Sequence, residues 1–240
     1  MNGEKTARTR LDEVRARLDR AASAAGRPPA DVLLLAVGKT FAAEAIRALA
    51  EAGQNAFGEN YLQEALAKQQ ALADLALEWH FIGPIQSNKT RPIAESFDWV
   101  HTVDREKIAA RLSAQRPAGL PPLQVCIEVN VDDEASKHGC SPADAPALAL
   151  AVAALPGLTL RGLMAIPAPG PTPADSAPAF ARLAALADSI RGQLPASQAA
   201  CFDTLSMGMS ADLEVAIGAG ATIVRVGTAL FGQRSQAATN

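Results

Sequence analysis

The sequence predicts a single (β/α)8 barrel of the TIM type with one extra helix at its N-terminus. Short apolar runs alternate with helical patterns eight times within 240 residues, which is the pattern of that barrel. Several runs are continuously apolar, as expected for parallel strands that helices cover on both faces. The competing architecture, a doubly wound nucleotide-binding sheet, requires G-x-G-x-x-G after the first strand, and the sequence lacks it there.

The elements follow from the spacing of apolar residues along the chain. Leu11, Val14 and Leu18 recur at three- and four-residue spacing, which predicts the N-terminal amphipathic helix. The predicted strands span residues 32–37, 55–58, 79–83, 99–103, 123–131, 160–166, 204–208 and 222–227. The predicted helices that follow them span residues 41–52, 60–74, 87–97, 105–116, 141–155, 174–194 and 210–218. We expect one barrel domain over residues 1–240, with a helix and linker (1–30), the barrel (31–234) and a tail (235–240).

Composition argues against several classes of protein. The formal net charge is −3 and no basic cluster is present, which argues against a nucleic-acid partner. Cys126, Cys140 and Cys201 are odd in number and lack Cys-x-x-Cys spacing, so we expect neither a disulfide framework nor a zinc site, and a reducing cytoplasm fits. The first residues are heavily charged and no apolar run approaches the roughly 18 residues of a membrane span, which predicts neither signal peptide nor membrane anchor.

Lys39 ends the first predicted strand in the segment VLLLAVGKT and is the first candidate functional residue. A triphosphate-binding loop requires G-x-x-x-x-G-K-[ST], and Leu33 occupies the position of its first glycine, so that interpretation is rejected. The carboxyl ends of barrel strands carry the active sites of TIM barrels. A partly desolvated amine there suits Schiff-base chemistry, and a solvated surface charge is the alternative.

The last strand, in the segment TIVRVGTALFG, indicates a phosphate site. Loops after strands 7 and 8 of a barrel commonly bind phosphate with the start of a short helix. Gly227 would allow close approach to the backbone and Thr228 would add a hydroxyl donor. Ser206 and Gly208, in the segment LSMGMS, belong to the same quarter of the barrel.

Closure of the barrel makes the first and last strands neighbours. A ligand with its phosphate after strands 7 and 8 would place an aldehyde within reach of Lys39, and pyridoxal 5′-phosphate (PLP) has that geometry. Arg225 would then face the pyridine nitrogen and keep it unprotonated, weakening the ring as an electron sink. A structural ion pair inside the barrel is the alternative for Arg225.

Six segments carry a family resemblance from about Leu33 to Arg234. They read LLAVGKT, FGENYLQEA, WHFIGPIQSNK, VNVDDEASKHG, LRGLMAIP and LSMGMSADLEVAIGAGATIVRVGTALFGQR. The chain resembles the pyridoxal phosphate homeostasis protein family, single-domain relatives of the alanine racemase N-terminal barrel and therefore PLP barrels of fold type III. Two positions depart from the family: Gly38 stands where serine is expected, which would loosen the turn, and the tail lacks an expected tyrosine.

The resemblance implies a role for each matching residue. It implies a Schiff base between the cofactor and Lys39, and an arginine, here Arg225, at the ring nitrogen. It also implies phosphate contacts from Ser206, Gly227 and Thr228. Asn60, at the start of the second barrel helix, either caps that helix or contacts the cofactor.

Carrier and catalyst are the two functional hypotheses. A racemase of this type needs a second acid/base group besides lysine, and the resemblance implies that full-length racemases take a tyrosine from a second β-domain of the partner subunit. This chain offers only Tyr61, for which packing or a polar contact is favoured over proton donation. We therefore expect a cytoplasmic, monomeric protein that carries or buffers PLP and maintains vitamin B6 and amino-acid homeostasis, with PLP-requiring apo-enzymes as candidate recipients. The alternative is a PLP-dependent racemase or lyase of low activity.

The remaining polar residues are expected to be structural or solvated. His80, His101 and His138 lie on separate segments without metal-ligand spacing. Lys89 is expected at the surface, and Lys137 is expected to be solvated, with a second cofactor contact as its alternative. The proline-rich segment 167–178 is expected to be a tolerated insertion, with a functional lid as the alternative.

Overall fold

Eight parallel strands close into a barrel in chain order, with β1 paired to β8, in a computed structural model that describes residues 6–132, 134, 138–168 and 170–232. This confirms the predicted fold. The strands are β1 (Leu33–Val37), β2 (Ala56–Glu59), β3 (Glu78–Phe81), β4 (Trp99–Val103), β5 (Leu123–Glu128), β6 (Leu158–Met164), β7 (Thr204–Met209) and β8 (Ile223–Val226).

Helices surround the barrel and one precedes it. They are α1 (Ala7–Ala24), α2 (Ala43–Glu51), α3 (Leu62–Ala71), α4 (Thr90–Ser96), α5 (Glu106–Gln115), α6 (Ala145–Ala153), α7 (Ala177–Arg191), α8 (Ala196–Ala199), α9 (Leu213–Gly218) and α10 (Thr228–Phe231). Short 3₁₀ turns occur at Pro29–Asp31, Ser87–Lys89 and Pro173–Ser176. None of the helices in these described ranges is long and apolar enough to cross a membrane.

The fifth predicted strand, 123–131, was too long, because the chain leaves the barrel after Glu128. Val129 forms a parallel bridge with Cys140, so this part of the chain pairs with its own loop. The Cys140 N–H donates to the Glu128 carbonyl at 2.9 Å, and the Asn130 N–H donates to the Cys140 carbonyl at 2.9 Å. The apolar residues Val129 and Val131 are buried outside the strand, which is why the apolar run overstated its length.

The N-terminal helix α1 contacts the two helices before and after β8, α9 and α10. Its Leu11, Val14 and Leu18 are buried, as the spacing predicted. The Arg10 side chain donates from Nε to the carbonyl of Leu230 in α10 at 2.7 Å. Arg17 forms an ion pair with Glu214 of α9 at 2.8 Å. The extra helix therefore fixes the two helices that flank β8.

The interior of the barrel is partly polar. Alternation along each strand sends every second side chain inward. A small apolar cluster inside consists of Leu35, Val37, Ala56, Ile82, Trp99, Cys126, Met164 and Ile223. The buried polar side chains His80, His101, Ser206 and Arg225 occupy inward positions of β3, β4, β7 and β8. Buried polar groups require hydrogen-bond partners, and these four find them largely in one another.

Candidate functional site

Lys39 follows β1 at the carboxyl end of the barrel strands, as predicted. Its side chain is half-buried and makes no hydrogen bond or ion pair with any residue that the structure describes. The next residue, Thr40, has φ +67°, the one positive φ among described non-glycine residues. A β-branched residue in this left-handed region is strained by about 1–3 kcal/mol, so the surrounding structure must hold the turn.

A buried lysine on α3 holds this turn from below. Lys68 Nζ donates to the Gly38 carbonyl at 2.9 Å and to Glu59 Oε1 at 2.8 Å. Glu64, one turn before Lys68 on α3, accepts the Thr40 N–H at 3.3 Å. Lys68 is only 7% exposed and Glu59 is fully buried. Burial raises the pKa of Glu59, and the hydrogen bond and charge of Lys68 oppose that shift.

Gly38 lies where a side chain would crowd the turn, and the loosening expected from its departure from the family stays a prediction. A Cβ at Gly38 would lie 2.8 Å from Glu59 Oε1 and 3.1 Å from Ile46 Cδ1. Contacts this short require a neighbour to shift, and Glu59 is held by Lys68. The glycine therefore makes room for the Glu59–Lys68 pair directly beneath Lys39. Sequence reasoning missed this pair because Lys68 lies in an ordinary helical pattern.

Asn60 connects β2 to α3 beside the Lys39 turn. The N-cap of α3 is Tyr61 and no side chain caps the helix, so the capping alternative for Asn60 is wrong. Asn60 Oδ1 is buried and, like Glu59 Oε2, has no hydrogen-bond partner in the described structure. A buried acceptor without a donor is costly, so Asn60 has capacity for a donor group from a ligand.

Arg225 lies inside the barrel, and its hydrogen bonds with the described residues all go to uncharged acceptors. Nη1 donates to the carbonyl oxygen of Ser206 at 2.6 Å and to its Oγ at 2.8 Å, and Nη2 donates to the Ala165 carbonyl at 3.0 Å. No ion pair to Arg225 occurs among the described residues, so the ion-pair alternative is not supported. A guanidinium has five N–H groups, which leaves Nε–H and one Nη2–H available. Burial lowers the pKa of Arg225 to about 10, so it stays a cation at neutral pH.

Ser206 contacts Arg225 inside the barrel. The residue is fully buried, and its hydroxyl hydrogen-bonds both Arg225 and His101 Nδ1, each at 2.8 Å. Its hydroxyl therefore already has two hydrogen-bond partners inside the barrel. The structure brings Ser206 to the arginine, and the phosphate contact expected for it stays a prediction.

Gly227 and Thr228 lie beside the Lys39 strand, as barrel closure predicted. Leu35 pairs with Arg225 and Ala36 with Val226, so the residues that follow β1 and β8 emerge together. A Cβ at Gly227 would come no closer than 3.4 Å to its neighbours, and φ is −110°, so neither packing nor backbone requires glycine there. The absent side chain leaves space above the backbone. Phe41 and Phe231 stack with ring centroids 4.6 Å apart and join the two segments.

Glu128 is a titratable residue that sequence reasoning did not single out. It ends β5, is 8% exposed, and burial raises its pKa to about 7, with Asp104 adding to the rise and Arg225 opposing it. A signal existed in the sequence, because Glu128 is a charged residue inside the apolar run 123–131, near the end of the barrel where sites are built.

The other candidates lie away from this group or have structural explanations. A Cβ at Gly208 would overlap Ala216 Cβ, so glycine there lets α9 pack on β7. The Tyr61 side chain is 54% exposed, which excludes packing in the core as its role. His138 is exposed, and no group of potential metal ligands occurs in the part of the chain that the structure describes. Lys137 lies outside the described residues.

Comparison with known proteins agrees with this arrangement. The model of the alanine racemase N-terminal domain matches residues 9–235. The chain is 64% identical over 228 residues to the pyridoxal phosphate homeostasis protein of Pseudomonas aeruginosa, covering 95% of this chain and 96% of the relative. It is 50% identical over 227 residues to the protein of the same name from Escherichia coli K12, covering 93% and 95%.

Solved structures give the same result. PipY of Synechococcus elongatus, with PLP bound, is 40% identical and superposes with a TM-score of 0.77, covering 90% of this chain and all of PipY. Alanine racemase of Corynebacterium glutamicum shares the fold at 17% identity and a TM-score of 0.64, and the match covers 96% of this chain but 63% of the racemase. The chain belongs to the pyridoxal phosphate homeostasis protein family and carries the alanine racemase N-terminal domain.

Proposed function

We propose that this protein binds PLP through Lys39 and carries or buffers the cofactor, maintaining vitamin B6 and amino-acid homeostasis. The observation that carries the proposal is the position of Lys39. Its side chain has no partner among the described residues, in a strained turn beside Gly227 and Thr228. The names of the relatives and the PLP bound to PipY support the choice of ligand.

The residues around Lys39 fit the parts of PLP. The cofactor supplies an aldehyde that condenses with amines and a pyridine ring that withdraws electrons. Lys39 supplies the amine, and the open space above Gly227 together with the Thr228 hydroxyl receives the phosphate. Arg225 offers its two remaining N–H donors to the ring nitrogen. Asn60, with its unpaired Oδ1, is a further contact. We assign the phosphate to Gly227 and Thr228, and the contact from Ser206 that the family resemblance implies stays a prediction.

Carrying is favoured over catalysis because, among the residues that the structure describes, the mouth holds no tyrosine placed for proton transfer of the kind racemases use. Tyr61, the single tyrosine of the sequence, is 54% exposed and makes no side-chain hydrogen bond in the described structure. A solvated phenol is poorly suited to proton transfer at a defined carbon. Glu128, with its raised pKa, is the group that would serve the alternative, a weak racemase or lyase.

We further propose that the protein acts in the cytoplasm as a monomer, with PLP-requiring apo-enzymes as recipients of the cofactor. The absence of Cys-x-x-Cys spacing and the burial of Cys126 agree with a reducing compartment. Sedimentation of the purified protein with and without PLP tests the oligomeric state. The proposal predicts one species of about 25 kDa in both samples.

Visible absorption of the purified protein after incubation with PLP tests the proposal. The wild type is expected to acquire the band of bound PLP, and Lys39→Ala is expected to lose it. Lys89→Ala, a lysine in the 3₁₀ turn after β3, is the matched control and should retain the band. Equal bands in wild type and Lys39→Ala would contradict the assignment.

Turnover assays separate the carrier from the enzyme. The PLP-loaded wild type is incubated with L-alanine and L-serine, and the products are resolved by chirality and mass. The carrier proposal predicts no turnover beyond that of free PLP, together with transfer of PLP to an apo-enzyme. Turnover above free PLP that disappears in Glu128→Gln would favour the racemase or lyase alternative.

A further inference from the structure

A continuous chain of hydrogen bonds crosses the interior of the barrel and ends on Arg225. Glu78 Oε1 contacts His80 Nε2 at 2.7 Å, and His80 Nδ1 contacts His101 Nε2 at 2.9 Å. His101 Nδ1 contacts Ser206 Oγ at 2.8 Å, and Ser206 Oγ contacts Arg225 Nη1 at 2.8 Å. The chain therefore links the start of β3, at the amino end of the barrel, with the arginine at the other end.

The Glu78 end of this hydrogen-bond chain, together with neutral histidine rings, sets the direction of the hydrogen bonds in it. Arg225 can only donate, and the Glu78 carboxylate can only accept, since its hydrogen bond from His80 lowers the pKa of Glu78. His80 therefore carries its proton on Nε2 and accepts at Nδ1 from His101 Nε2–H. His101 then accepts at Nδ1 from the Ser206 hydroxyl, which leaves a Ser206 lone pair for Arg225. Burial lowers the pKa of both rings, with the Glu78 carboxylate opposing the shift at His80, and this favours the neutral form of each.

The surrounding side chains shield this hydrogen-bond chain from solvent except at Glu78. His80, His101 and Ser206 are fully buried. Trp99 stacks on the His80 ring with centroids 5.3 Å apart and planes within 6°, and the Arg161 guanidinium lies 5.0 Å above the Trp99 ring. The Glu78 side chain is 45% exposed, so the carboxylate meets solvent. A buried hydrogen-bond network of this kind holds its side chains in one orientation.

We propose that His101 is a positioning residue for the cofactor: by accepting the Ser206 hydroxyl, it orients Ser206 to receive Arg225 and so aims the free N–H groups of Arg225 at the pyridine nitrogen. This rests on the proposed function. Without an acceptor at His101, the Ser206 hydroxyl hydrogen is free to turn toward Arg225, which weakens the hydrogen bond between Ser206 Oγ and Nη1. The guanidinium then keeps the carbonyls of Ser206 and Ala165 as acceptors and loses the third contact that completes its orientation toward the ring.

The test compares His101→Leu with His101→Asn. Leucine removes the acceptor, whereas the asparagine carboxamide oxygen can stand near the position of Nδ1 and accept from Ser206. Cys126→Ala is the control for a change in interior packing, because Cys126 is fully buried inside the barrel and makes none of these hydrogen bonds. The readouts are PLP affinity and the pH midpoint at which the visible band of the bound cofactor changes.

We expect His101→Leu to weaken PLP binding about tenfold, the effect of one lost hydrogen bond to a charged group. Its band midpoint should move by about one pH unit, because the field at the ring changes. His101→Asn and Cys126→Ala should match the wild type in both readouts. A His101→Leu protein that matches Cys126→Ala, or a His101→Asn protein as impaired as His101→Leu, would overturn the proposal.

Nitrogen NMR of the histidine rings in the wild type tests the direction of the hydrogen-bond chain without any variant and without PLP. The protein has three histidines, and His138 is exposed, so the two buried rings can be assigned. Both are expected as neutral rings with the proton on Nε2. A proton on Nδ1 of His101, or a charged ring, would overturn the proposed direction. If the wild type failed to bind PLP while both rings showed the expected tautomer, the proposed function would fail and the hydrogen-bond chain would stand.

Discussion

Replacing Lys68 with methionine should destabilise the protein strongly while removing almost no volume. Lys68 Nζ lies 2.8 Å from Glu59 Oε1, and the two side chains are 9% and 0% exposed. Removing one partner of a buried ion pair leaves an uncompensated charge and costs about 3–5 kcal/mol. The Gly38 carbonyl also loses its donor, so the Lys39 turn should loosen and PLP affinity should fall.

The pH dependence of this loss identifies its cause. Burial raises the pKa of Glu59, and loss of Lys68 removes the group that opposes the rise. A carboxyl with a raised pKa binds its proton more tightly when folded, so stability falls as pH rises from the unfolded pKa through the folded one. The free-energy difference between Lys68→Met and wild type should therefore be larger at pH 8 than at pH 5.

Urea denaturation at these two pH values measures the effect. Lys107→Met, an exposed position on α5, is the matched control and should stay within about 0.5 kcal/mol of the wild type. The double variant Glu59→Gln with Lys68→Met should recover part of the stability, because it removes the buried charge. A loss below about 1 kcal/mol at pH 8, or a loss independent of pH, would refute the reasoning.

Three further predictions concern the same end of the barrel. Gly38→Ala should lower the free energy of unfolding by about 1–3 kcal/mol in urea, because its Cβ would lie 2.8 Å from Glu59 Oε1; Gly218→Ala, which meets nothing within 4 Å, should not. Thr40→Gly should raise it by about 1 kcal/mol by relieving φ +67°, and a loss of stability would argue against strain there. Burial raises the pKa of Glu128 to about 7, so its protonated form should stabilise the fold at low pH, and about 3 kcal/mol of this should be lost as pH rises from about 4.5 to 7. Glu128→Gln should lack this loss. Unfolding free energies of wild type and Glu128→Gln that change in parallel with pH would contradict the prediction.

The sequence was sufficient to predict the barrel and the meeting of its first and last strands. Eight apolar runs with helices between them are compatible with few architectures. Closure of the barrel pairs β1 with β8, so the residues after these strands, Lys39 and Gly227, lie side by side. Period-two alternation along β8 also places Arg225 inside the barrel, where the structure has it. These features depend on pattern and topology, which the order of residues carries directly.

The partners of these residues could not be predicted in the same way. Lys68 reads as a solvated helix residue, and only the packing of α3 against β2 brings it to Glu59. His80 and His101 lie on separate strands, and the register of β3, β4 and β7 is needed to link them to Ser206. Hydrogen bonds between residues far apart in sequence depend on atomic positions. Inward alternation was nevertheless a usable signal that both histidines face the barrel interior.

Peptide mapping after borohydride reduction tests the central claim most directly. Reduction of the PLP-loaded wild type fixes the cofactor to the amine that holds it, and mass spectrometry of the digest locates that amine. The account predicts the pyridoxyl group on the peptide that contains Lys39, in one copy per chain. Label on another lysine, or no label at all, would contradict the assignment of Lys39 as the residue that binds PLP.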